Sequence, residues 1–316
     1  MTEVDTAPGE GVTAQDGQDR LVVDHAVVTY KQAGGVHLRA VDGVSLSVAA
    51  GEVVGLVGES GCGKSTLAKA VCGLEPLASG SIALEGRPVT RLGLRRRPTH
   101  LQRIQMVFQN PYASLNPRRR VGAQIEDARA IHPTGAPGVR DLLDQVELPH
   151  HAAEKHPHEF SGGQRQRIAI ARAVAAGPDL LIGDEPIASL DASLQSRIAL
   201  LMRQVALENG SSLLFISHDL AVVRLIADRV AVMRAGKIVE TGPTAAIWSS
   251  PQQAYTQRLL ASIPRADGLG RIPGSDTEIT RRGPAPWRES LGGLVRVEVR
   301  VLAAALHGEQ LGIYAT

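Results

Sequence analysis

The chain has 316 residues, of which 43% are hydrophobic and 21% are charged, and these values are typical of a soluble globular protein with one large or two modest domains. A formal net charge of only +2 gives no electrostatic reason to expect nucleic acid or an anionic membrane surface as a partner. The two cysteines, Cys62 and Cys72, form no disulfide framework and have no metal-like spacing, so a reducing compartment is favoured.

The N-terminal part of the chain predicts a disordered leader followed by β-strands. Residues 1–20 are polar and acidic, and they lack the basic start and apolar core of a signal peptide. The β-type runs "LVVDHAVVTY" and "VDGVSLSV" come next, and "GEVVGLVG" has the pattern of a buried strand that ends on glycine. No run reaches the ~20 apolar residues of a membrane-spanning helix, so a membrane role requires a partner.

The next segments predict one helix, two strands and an inserted helical region. "KSTLAKAVCGL" has helical spacing that places Leu67, Val71 and Leu74 on one face. "GSIALEG" and "RIQMVFQ" are strand candidates. Short helices with little β character follow, and we place a helical subdomain at about 112–170.

Helices and strands alternate after residue 164. A helix starting at Gln164 is followed by a strand ("DLLIGD"), a helix over 192–208, a strand ("SSLLFIS") and a further helix. This alternation predicts an α/β fold with a parallel sheet. "RVAVMRAGKIVETG" then predicts a hairpin around Ala235-Gly236.

The stretch "GESGCGKST" (58–66) fits the phosphate-binding pattern G-x-x-x-x-G-K-[ST] between a predicted strand and a predicted helix. Its glycines let backbone N–H groups turn toward an anion at the helix N-terminus. Lys64 is expected at the β- and γ-phosphates, Ser65 at Mg²⁺ and Thr66 at the α-phosphate. The alternative is a glycine turn that merely precedes a lysine. The predicted nucleotide contacts of this loop are Gly58, Ser60, Gly61, Gly63, Lys64, Ser65 and Thr66.

Two adjacent acids follow the apolar run "LLIGDEP". Asp184 ends the predicted strand, where a carboxylate associated with Mg²⁺ is expected beside a phosphate-binding loop. Glu185 is expected on the other side of the strand axis, where it can polarise the attacking water. His218 in "FISHDL" is expected at the same edge of the sheet, within reach of the γ-phosphate. A solvated strand end and a structural histidine are the alternatives.

Together these motifs resemble those of ATP-binding cassette (ABC) ATPases, over roughly residues 21–265. The motifs that carry the resemblance, in the family's order, are "GESGCGKST", Gln109 of "MVFQNP", "FSGGQ" (160–164), "LLIGDEP", "IASLD" (187–191) and "FISHDL". The resemblance implies a P-loop NTPase fold with a RecA-like α/β core, an antiparallel β subdomain at its start and an inserted helical subdomain that carries "FSGGQ". One mild departure is Phe160, where the family's signature usually has leucine.

The resemblance also implies a site shared between two chains. Two cassettes face head to tail, and the signature loop of one closes over ATP held by the other. Ser161, Gly162 and Gly163 would bind the γ-phosphate of the partner's nucleotide, with Gln164 supporting the loop and Asp191 crossing the interface. A small-residue loop before a helix N-terminus suits an anion.

Two further roles follow from the resemblance. Gln109 would respond to both Mg²⁺ and the transport subunit. It is therefore predicted to be both a catalytic residue and a metal ligand. Tyr30 matches the aromatic residue that stacks on adenine, although an aromatic in a β run is also typical of the core.

Several stretches resemble the ATP-binding subunits of oligopeptide and dipeptide (peptide/nickel) importers. They are "MVFQNPYASLNPRRRVG", "HPHEFSGGQRQRIAIARA" and "PQQAYTQRLL", the last with Ala254 where proline is common. This branch implies ATP and Mg²⁺ as ligands, membrane permease subunits as partners and a solute-binding protein acting indirectly. It favours a heterodimer with a second ATP-binding subunit over a homodimer, at the cytoplasmic face of the cell membrane and without nucleic acid.

The C-terminal extension, residues 266–316, has no functional interpretation, although "LVRVEVRVL" alternates like a half-buried strand. An ABC subunit of a soluble complex, for example phosphonate-degradation machinery, remains an alternative function. A small GTPase or kinase would share the phosphate loop but lacks "SGGQ". The sequence does not identify a cargo.

Overall fold

The computed structural model describes residues 19–31, 37–92, 97–131 and 137–263, without the side chains of residues 112 and 113. The chain divides into two units, 1–257 and 258–316. Most of the predicted leader and the predicted C-terminal strand lie outside the described residues. The first strand begins at Asp19, inside the range that we assigned to the leader.

The first strands of the chain form a four-stranded antiparallel sheet in the order β2-β1-β4-β5. Buried and exposed residues alternate along much of β1 and β2, because one face of the sheet covers the core. These strands are β1 (Asp19–Lys31), β2 (His37–Ala49), β4 (Ser79–Leu84) and β5 (Arg87–Pro88).

The second sheet has six strands in the order β10-β9-β3-β8-β7-β6. Its members are β3 (Val53–Val57), β6 (Ile104–Phe108), β7 (Leu180–Asp184), β8 (Ser212–Ile216), β9 (Arg229–Arg234) and β10 (Lys237–Pro243). All neighbouring pairs are parallel except β9 and β10, which form the predicted hairpin. Every residue of β3 and β8 is buried, as expected for parallel strands covered on both faces.

The helices connect these strands, and the helix predicted over 192–208 has those bounds in the structure. They are α1 (Lys64–Val71), α2 (Thr99–Gln102), α3 (Pro111–Ser114), α4 (Val121–Arg129), α5 (Val139–Gln145), α6 (Gly162–Ala175), α7 (Ala192–Glu208), α8 (Leu220–Ile226), α9 (Thr244–Ser249) and α10 (Ala254–Ala261), with 3₁₀ turns at His150–Glu154 and Pro157–Glu159. In the part of the chain that the structure describes, no helix has the length and apolarity needed to cross a membrane.

A continuous apolar core joins the antiparallel sheet, α1 and one face of the parallel sheet. Leu67 and Val71 are fully buried in it, but Leu74 is 48% exposed, so the prediction that all three lie on one helix face is wrong for Leu74. The helix ends at Val71 because Gly73 adopts a left-handed conformation (φ 72°). The N–H groups of Leu74 and Gly73 then bond back to the carbonyls of Lys69 and Ala70, at 2.8 and 2.9 Å, and close a Schellman motif.

Candidate functional site

The predicted site residues follow four parallel strands at one edge of the six-stranded sheet. The phosphate-binding loop follows β3, Gln109 follows β6, the acid pair lies at the end of β7, and His218 follows β8. Parallel strands direct their carboxyl ends to the same edge, and ligands of such sheets bind there. The topology therefore gathers side chains that are far apart in the sequence.

The glycines of the loop have backbone geometries that side chains do not tolerate. A Cβ at Gly58 (φ 154°) would lie 2.1 Å from the carbonyl oxygen of Met233, and one at Gly63 (φ 110°) would lie 2.1 Å from that of Ala40. Gly61 (φ 79°) faces open space and needs only its left-handed backbone. Gly58 and Gly63 thus allow the loop to lie directly on β9 and β2.

Lys64 is the first residue of α1 and is only 4% exposed. Its ammonium donates to the carbonyl oxygens of Gly58 at 2.8 Å and Glu59 at 2.9 Å. These hydrogen bonds replace the water that the ammonium loses on burial, and they hold the Lys64 side chain against its own loop. The positive charge thus lies at a helix N-terminus, where an anion is favoured.

Ser65 and Asp184 meet at the floor of the site. The Ser65 hydroxyl donates to Oδ1 of Asp184 over 2.7 Å, across 119 residues of sequence. Burial raises the pKa of the Asp184 carboxyl, and the charge of neighbouring Glu185 adds to this effect. A half-buried carboxylate beside a second acid is a favourable place for a divalent cation with oxygen ligands. Among the described residues no group of three or more histidines, cysteines and acids could hold a metal, so phosphate oxygens and water would have to complete the coordination.

Glu185 is aimed by a left-handed turn. The prediction that strand alternation separates Glu185 from Asp184 is wrong, because β7 ends at Asp184. Glu185 has φ 49°, and its N–H donates to the carbonyl of Ile216 at 3.0 Å. Its Oε2 lies 3.2 Å from Nδ1 of His218. A non-glycine residue at positive φ is uncommon and is often found at functional sites.

Tyr30 is half-buried at the end of β1, beside the phosphate-binding loop. Burial raises the pKa of its hydroxyl, and the side chains of Thr66 and Glu75 are close enough to influence that pKa. The ring packs at the margin of the apolar core. Its position is thus compatible with both the stacking and the core interpretation.

The signature loop is shaped by a capping box. Ser161 is the N-cap of α6, and its Oγ accepts from the N–H of Gln164 at 3.3 Å, while its own N–H donates to Gln164 Oε1 at 3.0 Å. The helix therefore begins at Gly162, two residues before the predicted start at Gln164. Ser161, Gly162 and Gln164 are exposed, whereas Gly163 is buried against α7.

Gln109 and Asp191 lie on exposed segments. The Gln109 carbonyl accepts from the Ser189 hydroxyl at 3.4 Å, which links the end of β6 to the "IASLD" turn. Asp191 is the N-cap residue of α7 but makes no side-chain capping bond. Within the described ranges, no hydrogen bond joins the signature loop to the phosphate-binding loop or to the acid pair. Hydrogen bonds thus connect the P-loop with Asp184 and His218 with Glu185, whereas the described signature loop has no hydrogen bond to either group.

Two contacts to the phosphate-binding loop were not predicted. The N–H of Gly236, in the β9–β10 turn, donates to the carbonyl of Cys62 at 2.9 Å. The N–H of Glu59 donates to the hydroxyl of Tyr255 on α10 at 3.2 Å. The sequence pattern predicted the hairpin itself, but no local signal reports a contact across 196 residues.

Comparisons with known proteins agree on one family. The ABC transporter family matches residues 41–188. A putative peptide import ATP-binding protein of Brucella abortus is 45% identical over 278 residues, which cover 84% of this chain and 83% of that protein. The oligopeptide transport ATP-binding protein OppF of Lactococcus lactis is 46% identical over 233 residues, covering 72% of this chain and 73% of that protein.

Solved structures give the same result for the fold. The dimeric, post-hydrolysis ATP-binding cassette MJ0796, bound to ADP and Pi, superposes with a TM-score of 0.61 at 26% identity, over 71% of this chain and 98% of that one. The cbiO1 protein of Clostridium perfringens, part of the ABC transporter complex cbiONQ, gives 0.62 at 28% identity, over 74% and 92%. The predicted α/β P-loop fold is therefore confirmed, and this chain belongs to the ABC transporter family, with the fold of its ATP-binding cassettes.

Proposed function

We propose that this chain is the ATP-hydrolysing subunit of an ABC importer for peptides or a related small solute. The observation that carries the proposal is the Ser65–Asp184 pair beside Glu185 and His218, directly below a glycine loop shaped for phosphate. The relatives named as peptide import and oligopeptide transport ATP-binding proteins support the class of cargo.

In this proposal the P-loop binds the phosphates of ATP. The ammonium of Lys64 and the N–H groups at the start of α1 provide positive potential at one point, where the β- and γ-phosphates would lie. Tyr30 would stack on adenine. Ser65 and Asp184 would hold Mg²⁺, with Gln109 approaching from β6. Mg²⁺ neutralises phosphate charge when it is bound.

Glu185 is assigned as the general base. Its carboxylate would accept the proton of the water that attacks the γ-phosphorus, while the β–γ bond breaks and ADP leaves. His218 Nδ1, at 3.2 Å from Oε2, orients that carboxylate. Asp184 is held by Ser65, so the two adjacent acids have separate tasks.

The signature loop is proposed to complete the site of a second ATP-binding chain. The capping bond uses Ser161 Oγ only as an acceptor, so its hydroxyl hydrogen can be donated to a phosphate oxygen. The N–H groups of Gly162 and Gly163 lie in the first turn of α6, where backbone donors lack intrahelical partners. Asp191 would cross the interface. A heterodimer is favoured over a homodimer, and ATP would close the pair, with hydrolysis reopening it.

The remaining partners follow from the proposed importer. Permease subunits would dock near Gln109 and residues 110–122 at the cytoplasmic face of the membrane, and a solute-binding protein would act through the permease. We propose a cassette over residues 21–265, a helical subdomain at about 112–170 and an extension at 266–316. The described residues from 111 to 175 contain helices and turns but no strand, as this division requires.

The Glu185→Gln variant tests the proposal. We expect steady-state ATP hydrolysis to fall at least about 100-fold, because the proton acceptor is lost. ATP binding is retained, and size-exclusion chromatography with ATP and the second ATP-binding subunit shows an accumulated pair. Undiminished hydrolysis by this variant contradicts the assigned base.

Purification of the native assembly tests the transport role separately. We expect membrane permeases to co-purify and to stimulate hydrolysis. A stable soluble assembly with metabolic enzymes would favour the alternative of a soluble complex.

A further inference from the structure

Tyr255, on the last described helix, lies against the first residues of the P-loop. Its side chain is buried, with only 6% of the residue exposed. Its hydroxyl oxygen accepts from the backbone N–H of Glu59 at 3.2 Å. Tyr255 therefore contacts the start of the P-loop, although the two are far apart in the sequence.

The bond from Glu59 fixes one particular peptide group. The peptide between Gly58 and Glu59 has its N–H bonded to Tyr255 and its carbonyl oxygen bonded to the ammonium of Lys64, at 2.8 Å. A peptide group is planar, so fixing both of its polar atoms fixes its orientation. That orientation in turn sets the direction in which the Gly58 carbonyl holds Lys64.

The peptide also lies at a flexible point of the chain. Gly58 has φ 154°, a conformation that its missing side chain permits but does not enforce. Met233 approaches Gly58 too closely for a Cβ and limits the space on one side. The tyrosine bond therefore supplies an orientation that local sequence does not determine.

Tyr255 is itself held by two independent sets of contacts. The guanidinium of Arg234 lies 4.9 Å from the centre of its ring, a cation–π distance. The carboxylate of Glu240 on β10 accepts from the N–H groups of Gln252 and Gln253, at 2.7 and 3.1 Å, just before α10 begins. The hydroxyl thus reaches Glu59 from a ring that contacts β9 and from a helix whose start is bonded to β10.

We infer that Tyr255 is a positioning residue for nucleotide binding, which acts by fixing the Gly58–Glu59 peptide and, through it, Lys64. The inference rests on the proposed function, because it assigns Lys64 to the phosphates. It makes α10 part of the structure that determines the affinity of the P-loop.

The test is Tyr255→Phe in the full chain. Phenylalanine keeps the buried ring and the contact with Arg234 but removes the hydroxyl. We expect ATP and ADP to bind about 3- to 10-fold more weakly, the value of one hydrogen bond. KM for ATP rises by the same factor and kcat stays within about twofold, because the loop holds the phosphates alike before and during reaction. Amide hydrogen exchange speeds up in residues 58–63.

Gln257→Ala is the matched control, because it removes one side-chain hydrogen bond, to the Pro251 carbonyl, from an exposed position on the same helix. It should leave nucleotide affinity unchanged. Wild-type KM and wild-type exchange in Tyr255→Phe would overturn the inference. Faster exchange spread over α10 and β10 with a lowered Tm would also overturn it, since that indicates a merely structural role. If the unsubstituted chain binds no ATP, the proposed function fails instead.

Discussion

The P-loop and the signature loop are both glycine-containing loops before a helix N-terminus, yet different parts of the molecule hold them in shape. The P-loop is bonded to residues far away in the sequence: Ser65 to Asp184, Cys62 to Gly236 and Glu59 to Tyr255. The capping bonds of the signature loop join residues only three apart.

The difference shows what each loop requires. The P-loop is bonded to the sheet that carries Asp184 and Glu185, so its geometry depends on contacts between distant parts of the chain. The signature loop takes its shape from a local capping box, an interaction typically worth about 1 kcal/mol. Ser161, Gly162 and Gln164 can therefore remain exposed to solvent while the loop keeps a defined shape.

Among the substitutions that test the difference between the two loops, Lys64→Ala should have the largest effect, which is a loss of ATP affinity. Removing the buried ammonium leaves two loop carbonyls without their donor and removes a charged contact to phosphate. We expect ATP affinity to fall about 10- to 100-fold, the range for hydrogen bonds to charged groups. Isothermal titration measures it. Lys69→Ala, at an exposed lysine of the same helix, is the control and should bind ATP normally. Normal binding by Lys64→Ala would contradict the P-loop assignment.

An intermediate effect is expected from two substitutions at Ser161. Alanine removes both the cap and the phosphate donor, whereas aspartate keeps the cap and places a negative charge where a phosphate would lie. Both variants should bind ATP within about twofold of the unsubstituted chain, because the signature loop is predicted to act only on a partner's nucleotide.

The two Ser161 variants separate stability from pairing. We expect Ser161→Ala to lower Tm by roughly 2–4 °C and Ser161→Asp to preserve it, while both prevent ATP-dependent pairing. Calorimetry and size-exclusion chromatography measure the two properties. Loss of ATP affinity in either variant would show that the loops do not act on separate nucleotides.

The smallest effect is expected from Asp184→Asn in the absence of nucleotide. Burial raises the pKa of Asp184, so folding favours its neutral form. The associated stability is fully present below the unfolded pKa and is lost as pH rises through the folded pKa. The asparagine variant should therefore melt roughly 1–3 °C higher at pH 7, and this gain should vanish on acidification below about pH 4.

With magnesium and ATP present, the unsubstituted chain should melt at a higher temperature than Asp184→Asn, the reverse of the order without ligand. The unsubstituted chain gains stability from ligand binding, and Asp184→Asn gains less because it lacks the anionic ligand. Glu154→Gln, at an exposed position outside the predicted site, is the control and should melt as the unsubstituted chain does. A lower melting temperature for Asp184→Asn at pH 7 without ligand would contradict the inference that ionised Asp184 destabilises the folded state.

Local patterns predicted much of the fold. Apolar runs identified the buried strands, the strand–loop–helix context identified the P-loop, and the 3.6-residue period identified the helix over 192–208. The hairpin was predicted because Ala235 and Gly236 fit a tight turn, and both have positive φ, 46° and 83°. Each of these features depends on residues close together in the chain.

The features that sequence reasoning missed depend on backbone geometry or distant contacts. Periodicity continued α1 to Leu74, but the Schellman motif at Gly73 turned that residue outward. Alternation placed Glu185 on a strand, whereas a left-handed turn aims it. The stretch "PQQAYTQRLL" indicated a branch of importers but carried no sign that Tyr255 reaches Glu59.

The two carbonyl bonds of Lys64 bear on the cost of ordering its side chain. Two of the three ammonium hydrogens are donated to the carbonyl oxygens of Gly58 and Glu59, and the thiol sulfur of Cys62, a weak acceptor, lies 3.9 Å away. A phosphate bound at the proposed site would therefore meet a lysine whose conformational freedom was already lost during folding, so binding would not have to supply the free energy of ordering this side chain.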